Sequence, residues 1–119
     1  MSRLKAILEK FNRNEGVEGA LICGHDGIVV ESALAERFNS HEMAALVSSV
    51  HLAVGNCVED FKYGRANRFQ MTSQNGSLVI SDLGRGLFVA VLSGGADAAA
   101  INAEIFQTAN EIKKHANLG

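Results

Sequence analysis

The amino-acid sequence predicts an α+β fold with three helices and five antiparallel strands in the order α-β-β-α-β-β-β-α. Two observations predict this class: apolar residues recur at helical spacing in three segments, and short glycine-containing breaks join apolar runs of strand length. The chain has 119 residues, of which 47% are hydrophobic and 20% charged, so it can bury one core and lacks the composition of a disordered chain. We expect residues 1–119 to form one domain.

A short amphipathic helix is predicted near the N-terminus. Its apolar residues recur at positions i, i+3, i+4 and i+7, which places them on one face, and Ser2 precedes them as an N-cap. These residues are Leu4, Ile7, Leu8 and Phe11. The helix should cover a hydrophobic surface with that face.

A hairpin is predicted to follow this helix. The segment LICGHDGIVVES contains two apolar runs separated by the glycine-rich residues 24–27. Such a break binds phosphate when a helix begins directly after it, but residues 28–30 are β-branched and typical of a strand. Glycine adopts positive φ without steric cost, so Asp-Gly between apolar runs indicates a turn. We interpret the break as the turn between strands 17–23 and 28–33.

A long helix is predicted from the capping residue Asn39 to about Lys62. One side of its helical wheel is apolar and typical of a stripe that packs on a sheet: Met43, Leu46, Val47, Val50, Val54, Cys57, Val58 and Phe61. A side that met only water would be charged, yet the other side carries mainly small and polar residues. Small residues at helical spacing let another helix approach closely, so we predict a contact between subunits there; a neutral exposed face is the alternative.

Three more strands and a helix complete the predicted order. The strands span about residues 67–73, 78–83 and 87–92, and are joined by Asn75-Gly76 and by the glycine-flanked Arg85. The closing helix is expected to begin at the cap Asp97. Its buried stripe consists of Ile101, Ile105, Ala109 and Ile112.

Strand composition distinguishes the centre of the sheet from its edge. Strands 17–23 and 87–92 are apolar on both faces and are expected to be central neighbours, whereas residues 68–72 alternate strictly and indicate an edge. A flat edge in a chain without proline is prone to pair, and a second copy of the chain could cover it. The predicted dimer interface is Ala45, Ser48, Ser49, Leu52, Gly55, Asn56, Glu59, Arg68, Gln70 and Thr72.

The charge balance argues against a nucleic-acid or membrane partner. Lys and Arg number 11 against 13 Asp and Glu, so the formal net charge is −2. The chain therefore lacks the excess positive charge that would attract nucleic acid or an anionic membrane. No apolar run approaches the roughly 20 residues of a membrane span, and the N-terminus alternates charged with apolar residues, unlike a signal peptide. We expect a cytoplasmic protein that binds no nucleic acid and inserts into no membrane.

No catalytic, cofactor-binding or metal-ligating site is predicted. The stretch HEMAA begins like the zinc-protease motif HExxH, but Ala45 stands where the second histidine is required. The four histidines share no helical face, and Asp82, late in an apolar strand, is expected to have a turn or hydrogen-bonding role. Cys23 and Cys57 lie in apolar sequence and are expected to be buried, without a disulfide or zinc site. Arg85 is expected to be a solvent-exposed residue at the tip of a hairpin. The alternative, in which it contacts the phosphates of a partner's nucleotide, is less favoured.

The chain resembles the roadblock family, which comprises the dynein light chains called roadblock and their bacterial and archaeal relatives. The likeness rests on GVEGALICGHDGIVVESA at the start of the sheet, MAALVSSVHLAVG in the long helix and GSLVISDLGRGLFVAVL at the end of the sheet. It covers about residues 4–112, and the hairpin motif is more similar to the prokaryotic members. The resemblance implies a five-stranded sheet of order 2-1-5-4-3, with the long helix on one face and the two terminal helices on the other.

The resemblance also implies a homodimer in which the long helices pack together and the third strands pair into one continuous sheet. Family members lack catalytic residues and bind Ras-like small GTPases or act as scaffolds, and a bacterial relative that regulates gliding polarity stimulates its GTPase without an arginine finger. We therefore expect a non-catalytic, cofactor-free homodimer that regulates or scaffolds a Ras-like small GTPase. The alternatives are a small-ligand sensor with a pocket between long helix and sheet, and a structural adaptor in a larger complex.

Overall fold

The computed structural model describes residues 2–117, which form three helices and one five-stranded antiparallel sheet. The elements are α1 (Arg3–Phe11), β1 (Val17–Cys23), β2 (Val29–Leu34), α2 (Ser40–Asp60), β3 (Arg68–Ser73), β4 (Gly76–Asp82), β5 (Leu87–Ser93) and α3 (Asn102–Ala116). The strand order is β2-β1-β5-β4-β3, and every neighbouring pair is antiparallel. The predicted element order and sheet order are confirmed.

The sheet separates two hydrophobic clusters. Helices α1 and α3 cover one face, where the rings of Phe11 and Phe88 meet edge to face with centroids 5.3 Å apart. Helix α2 covers part of the other face, around Leu21, Val47 and Val89. Strands β1 and β5 therefore bury side chains on both faces, which explains why their sequences do not alternate between apolar and polar residues.

The N-terminal helix has the cap that the sequence predicts. The hydroxyl oxygen of Ser2 accepts a hydrogen bond from the backbone N–H of Lys5 over 3.0 Å, which satisfies one of the free donors of the first turn. Ile7, Leu8 and Phe11 of this helix are buried as expected.

Helix α3 begins at Asn102, so the prediction that Asp97 caps it is wrong. The Asp97 carboxylate instead accepts a hydrogen bond from the backbone N–H of Ala99 over 3.0 Å, and the Asp97 carbonyl accepts one from Ala100 over 3.1 Å. These bonds close a separate turn. That turn precedes Ile101, which is buried and starts the helix without a side-chain cap.

Strand boundaries also differ from the prediction by one or two residues, and the starts of two strands have a clear reason. Strand β4 begins at Gly76 and not at Leu78, because Gly76 pairs with Ser73 on one side and Ser93 on the other. Strand β2 begins at Val29, because the carbonyl of Ile28 closes the preceding turn by accepting a hydrogen bond from Gly24.

Helix α2 is rotated relative to the orientation that its apolar stripe predicts, so that only part of that stripe faces the sheet. Its buried residues are Ala44, Val47 and Ser48. Leu46 and Phe61, which were expected to pack on the sheet, are 61% and 65% exposed. The sequence-based assignment of the sheet-packing side is wrong for these two residues.

The turn between β1 and β2 accounts for this orientation. Gly27 has a φ of +83°, and a Cβ built there would lie 2.8 Å from Ser48 Oγ and 3.3 Å from Ala45 Cα. Because the helix approaches this backbone so closely, its small residues face the turn and its larger apolar residues lie on a flank. The same rotation leaves Cys57 exposed, so the expectation that Cys57 is buried is also wrong.

Candidate functional site

The outer surface of α2 and the free edge of β3 form a candidate interaction surface. Large apolar side chains protrude from α2 and the segment after it: Leu46, Leu52, Phe61 and Tyr63 are 61%, 65%, 65% and 81% exposed. Several large apolar side chains exposed on one helix and on the segment after it favour a protein interaction site.

The flank of α2 that faces β3 borders an open apolar groove. Met43, Leu46 and Val50 line it from the helix, and Met71 and Leu78 line it from the sheet. The packing of α2 over β1 and β2 leaves this part of the sheet only partly covered. The lining is mainly apolar and also includes Arg37, Asn39 and Glu42, a mixture that is typical of a protein interface.

Strand β3 has one paired and one free edge within residues 2–117, because it lies at the end of the sheet. Phe69 and Met71 are half-buried on the α2 side, while Arg68, Gln70 and Thr72 are exposed on the alternate positions. This pattern agrees with the alternation in the sequence. The free backbone N–H and C=O groups of the edge are available to another strand.

The predicted interface residues do not all lie on one surface. Ala45, Ser49, Leu52, Asn56 and Glu59 are exposed on α2, and Gly55 is half-buried. Ser48 is buried, and its hydroxyl donates to the carbonyl of Ala45 over 3.0 Å.

The small-residue flank of α2 also lies away from β3. Ala45 lies beside Gly27 of the β1–β2 turn, whereas Met43 and Leu46 face the side of β3. The structure thus brings the β3 edge next to the apolar flank of α2 and not next to the small-residue flank.

A second feature was missed by the sequence analysis: a polar cluster around Asp82 at the end of β4. His25 Nε2 lies 3.3 Å from Asp82 Oδ1, and His51 Nε2 lies 3.0 Å from Asp82 Oδ2. The two imidazole rings stack, with centroids 5.1 Å apart and planes 16° from parallel. We call His25, His51 and Asp82 the His-Asp cluster.

Two further groups contact the carboxylate of Asp82. The backbone N–H of Gly84 donates to Oδ1 over 2.7 Å, and Arg65 Nη2 lies 3.5 Å from Oδ2. Burial raises the pKa of Asp82, but the Gly84 hydrogen bond and the two neighbouring histidines outweigh it, so the pKa lies below its ordinary value. The carboxylate is therefore held as an anion at neutral pH, and its expected turn and hydrogen-bonding role is confirmed.

Helical spacing could not reveal this cluster. Its members come from three segments, the β1–β2 turn, α2 and β4, and the histidines approach Asp82 across 57 and 31 positions of sequence. The one signal in the sequence is the polar Asp82 in an otherwise apolar strand, because a buried carboxylate requires polar partners.

The two cysteines have different surroundings. Cys23 is fully buried at the end of β1, and burial, with a smaller contribution from the negative charge of Asp26, raises the pKa of its thiol to about 11. Cys57 lies on the exposed side of α2. The Arg85 side chain, at the hairpin between β4 and β5, is exposed as expected.

None of the helices in the described part of the chain combines the length and the apolar character that crossing a membrane requires.

Comparison with known proteins places this geometry in a family. The model of the Roadblock/LC7 domain matches residues 3–93. An uncharacterised protein of Methanocaldococcus jannaschii is 22% identical over 107 residues, which cover 90% of this chain and 94% of that protein.

Solved structures share the fold, among them two of MglB. Myxococcus xanthus MglB superposes with a TM-score of 0.89 at 14% identity, covering 96% of this chain and 94% of that one. An MglB structure with a tetrameric arrangement superposes with a TM-score of 0.87 at 20% identity, covering 97% of this chain and 88% of the other. Because the family model matches most of the sequence and the strand order is that of the family fold, this chain belongs to the Roadblock/LC7 domain family.

Proposed function

We propose that this chain is a non-catalytic, homodimeric binding module that regulates or scaffolds a Ras-like small GTPase. The observation that carries the proposal is the exposed apolar flank of α2 beside the free edge of β3. A roadblock-type domain is a binding and regulatory fold, and the partner class follows the resemblance of this sequence to the prokaryotic members of the family.

A second copy of the chain fits this surface. Its β3 would extend the sheet by antiparallel pairing, because β3 is a regular six-residue strand without proline. Its α2 would at the same time cover the groove beside Met43, Leu46 and Val50. Such an interface is the same patch on both subunits, as two-fold symmetry requires, and the tetrameric MglB arrangement supports assembly of this fold into oligomers.

The dimer would act on its partner by surface complementarity and not by a donated catalytic group. Paired α2 helices would form one continuous surface with few charges, suited to contact the switch loops of a GTPase. Ordering those loops can speed hydrolysis, because positioning and electrostatics dominate phosphoryl transfer.

The proposed function is tested by calorimetric titration of the protein with Ras-like GTPases from the same organism. Each GTPase is loaded either with GDP or with a non-hydrolysable GTP analogue. We expect one GTPase to bind in the GTP-analogue state at least about tenfold more tightly than in the GDP state, since regulators of switch loops distinguish the two nucleotides.

Two variants make this test specific. Leu46→Glu lies in the proposed dimer interface and is expected to abolish GTPase binding, because the GTPase would contact the surface that the paired α2 helices form together. Phe106→Ala is the matched control, because Phe106 is 64% exposed on α3, on the opposite face of the sheet, and its loss is expected to leave binding unchanged. If no Ras-like GTPase binds in either state while the protein is folded and dimeric, the structural-adaptor function replaces the regulatory one.

A further inference from the structure

We propose that the His-Asp cluster is a metal site that takes one divalent first-row transition-metal ion per chain, with Zn²⁺ as the best match. The proposal concerns His25, His51 and Asp82 alone. It depends neither on the GTPase nor on dimerisation.

The distances between the ligand atoms suit a single ion. The potential ligand atoms of the three side chains all lie within 4.8 Å of one another, and the two His-to-Asp separations are 3.3 and 3.0 Å. Metal-ligand bonds of about 2.0–2.2 Å place neighbouring ligands of a tetrahedral ion about 3.3 Å apart. An ion could therefore bind between these atoms after small side-chain adjustments.

The donor set selects the class of metal. Two imidazole nitrogens with one carboxylate oxygen match Zn²⁺ and its first-row neighbours, whereas Mg²⁺ and Ca²⁺ prefer all-oxygen sites. The His25 side chain is 40% exposed, so a water molecule can reach the cluster from this side and supply the fourth ligand. Three protein ligands plus water form an open coordination shell.

The surrounding structure holds two of the three ligands in place. The Gly84 N–H fixes the Asp82 carboxylate through Oδ1, and the His51 ring packs beside Phe69 with centroids 6.3 Å apart. Hydrogen-bonded carboxylates and ring orientations fixed by packing are the outer-shell support that metal ligands usually have. The side chain of His51 is 15% exposed and that of Asp82 only 7%, which limits their freedom to turn away.

Arg65 is the group that opposes metal binding. Its Nη2 lies 3.5 Å from Asp82 Oδ2, where its positive charge would repel a cation. The Arg65 side chain is 67% exposed and can move into water when an ion binds. The alternative state of the cluster is a hydrogen-bonded network in which Arg65 supplies the positive charge. The two states make opposite predictions for the effect of removing Arg65 on zinc affinity.

The test is a titration of chelator-treated, metal-free protein with ZnCl₂, followed by calorimetry and by competition with a zinc indicator dye. We expect one Zn²⁺ per chain at micromolar or tighter affinity. A parallel titration with Co²⁺ should give visible d-d absorption of the intensity typical of low coordination number.

Four variants identify the site. His25→Ala removes an exposed ligand and is expected to weaken zinc binding at least about a hundredfold, since each ligand supplies a large part of the binding free energy. His41→Ala and His115→Ala are the matched controls, because neither residue belongs to the cluster, and both should bind zinc like the parent. Arg65→Ala removes the competing cation and is expected to tighten binding several-fold.

Three results would overturn the metal site. One is the absence of stoichiometric zinc binding by the parent. Another is an equal loss of affinity in the control variants and in His25→Ala, which would indicate adventitious histidine binding. The last is weaker or unchanged zinc binding by Arg65→Ala, which would favour the hydrogen-bonded network. Melting curves of the metal-free variants confirm that each is folded, and a failure of the GTPase titration leaves all these outcomes unaffected.

Discussion

At the scale of single residues, Asp82 shows how one buried carboxylate is satisfied in this fold. Three groups lie within hydrogen-bond distance of it, the Gly84 N–H and the two imidazoles, and the guanidinium of Arg65 forms an ion pair with it over 3.5 Å. These contacts compensate for the removal of the carboxylate from water. A buried charge without such partners would be strongly destabilising. The cluster therefore links the β1–β2 turn and α2 to the end of β4.

Cys23 provides a prediction about reactivity. Because its thiol pKa is raised to about 11, the native protein holds almost no Cys23 thiolate at pH 8, and the thiol is fully buried. Alkylation with iodoacetamide at pH 8, followed by mass spectrometry, is expected to leave Cys23 unmodified until guanidinium unfolds the chain. Native-state modification at the unfolded-state rate would contradict the burial of this residue.

The raised pKa of Cys23 also makes the free energy of unfolding depend on pH. The native state holds the Cys23 proton more tightly than the unfolded chain does. This stabilising contribution to the free energy of unfolding is fully present below the pKa that the thiol has in the unfolded chain. It is lost as pH rises towards about 11. We measure the free energies of unfolding of the parent and of Cys23→Ala by denaturation at a series of pH values. The difference between the two should shrink between about pH 9 and pH 11.

Arg85 provides a prediction about mechanism. Its side chain is exposed at the β4–β5 hairpin, and the proposed function assigns it no catalytic contact. Arg85→Ala is expected to leave any stimulation of GTP hydrolysis within about threefold, whereas loss of an inserted arginine finger costs roughly a thousandfold. A collapse of stimulation in a folded, still-binding Arg85→Ala dimer would show that this chain donates a finger.

At the scale of elements, substitutions of two glycines test the packing of α2, and their expected effects on the free energy of unfolding are opposite. Gly27→Ala places a Cβ against Ser48 and Ala45 at a positive φ, and is expected to lower the free energy of unfolding by about 1–3 kcal/mol. Gly55→Ala adds a Cβ within the helix, where no neighbouring atom outside the helix backbone lies within 4 Å. This substitution is expected to raise the free energy of unfolding by about 0.5–1 kcal/mol.

Urea denaturation of both variants measures these changes. A neutral Gly27→Ala would show that α2 does not approach the turn so closely. A strongly destabilising Gly55→Ala would show that another helix packs against Gly55, as the sequence analysis expected.

The two flanks of α2 are distinguished by a pair of charged substitutions at exposed positions. Leu46→Glu places a charge beside the groove next to β3, and is expected to weaken self-association by at least about a hundredfold because the charge would lose its hydration in the interface. Ser49→Arg, on the small-residue flank, is expected to weaken it by less than about tenfold.

Sedimentation velocity over a concentration series measures both variants. Because both positions are exposed in a single chain, neither substitution should change the fold. The opposite ranking would place the interface on the small-residue flank.

The sequence predicted most elements because local signals agreed with the fold. Asn39 and Ser2 cap the helices they were expected to cap, and the alternation of residues 68–72 correctly identified β3 as an edge. The orientation of α2 could not be predicted, because its apolar residues cover much of the helix circumference and the close approach of Gly27 decides which side faces inwards. The His-Asp cluster arises only when three distant segments come together in the fold.

At the scale of the whole molecule, the two faces of the sheet differ in how completely they are covered. Helices α1 and α3 bury one face around Phe88, Leu92 and Ile105. On the other face α2 packs over β1 and β2, so that apolar surface beside β3 and β4 borders an open groove. An asymmetric coverage of this kind is stable in water when another protein surface completes it.

Sedimentation equilibrium of the parent protein at micromolar concentration tests the central claim, that a second copy completes this face, most directly. The account predicts a species of twice the 12.7 kDa of one chain, with dissociation too weak to detect at these concentrations. A folded species of 12.7 kDa that shows no concentration dependence would contradict it.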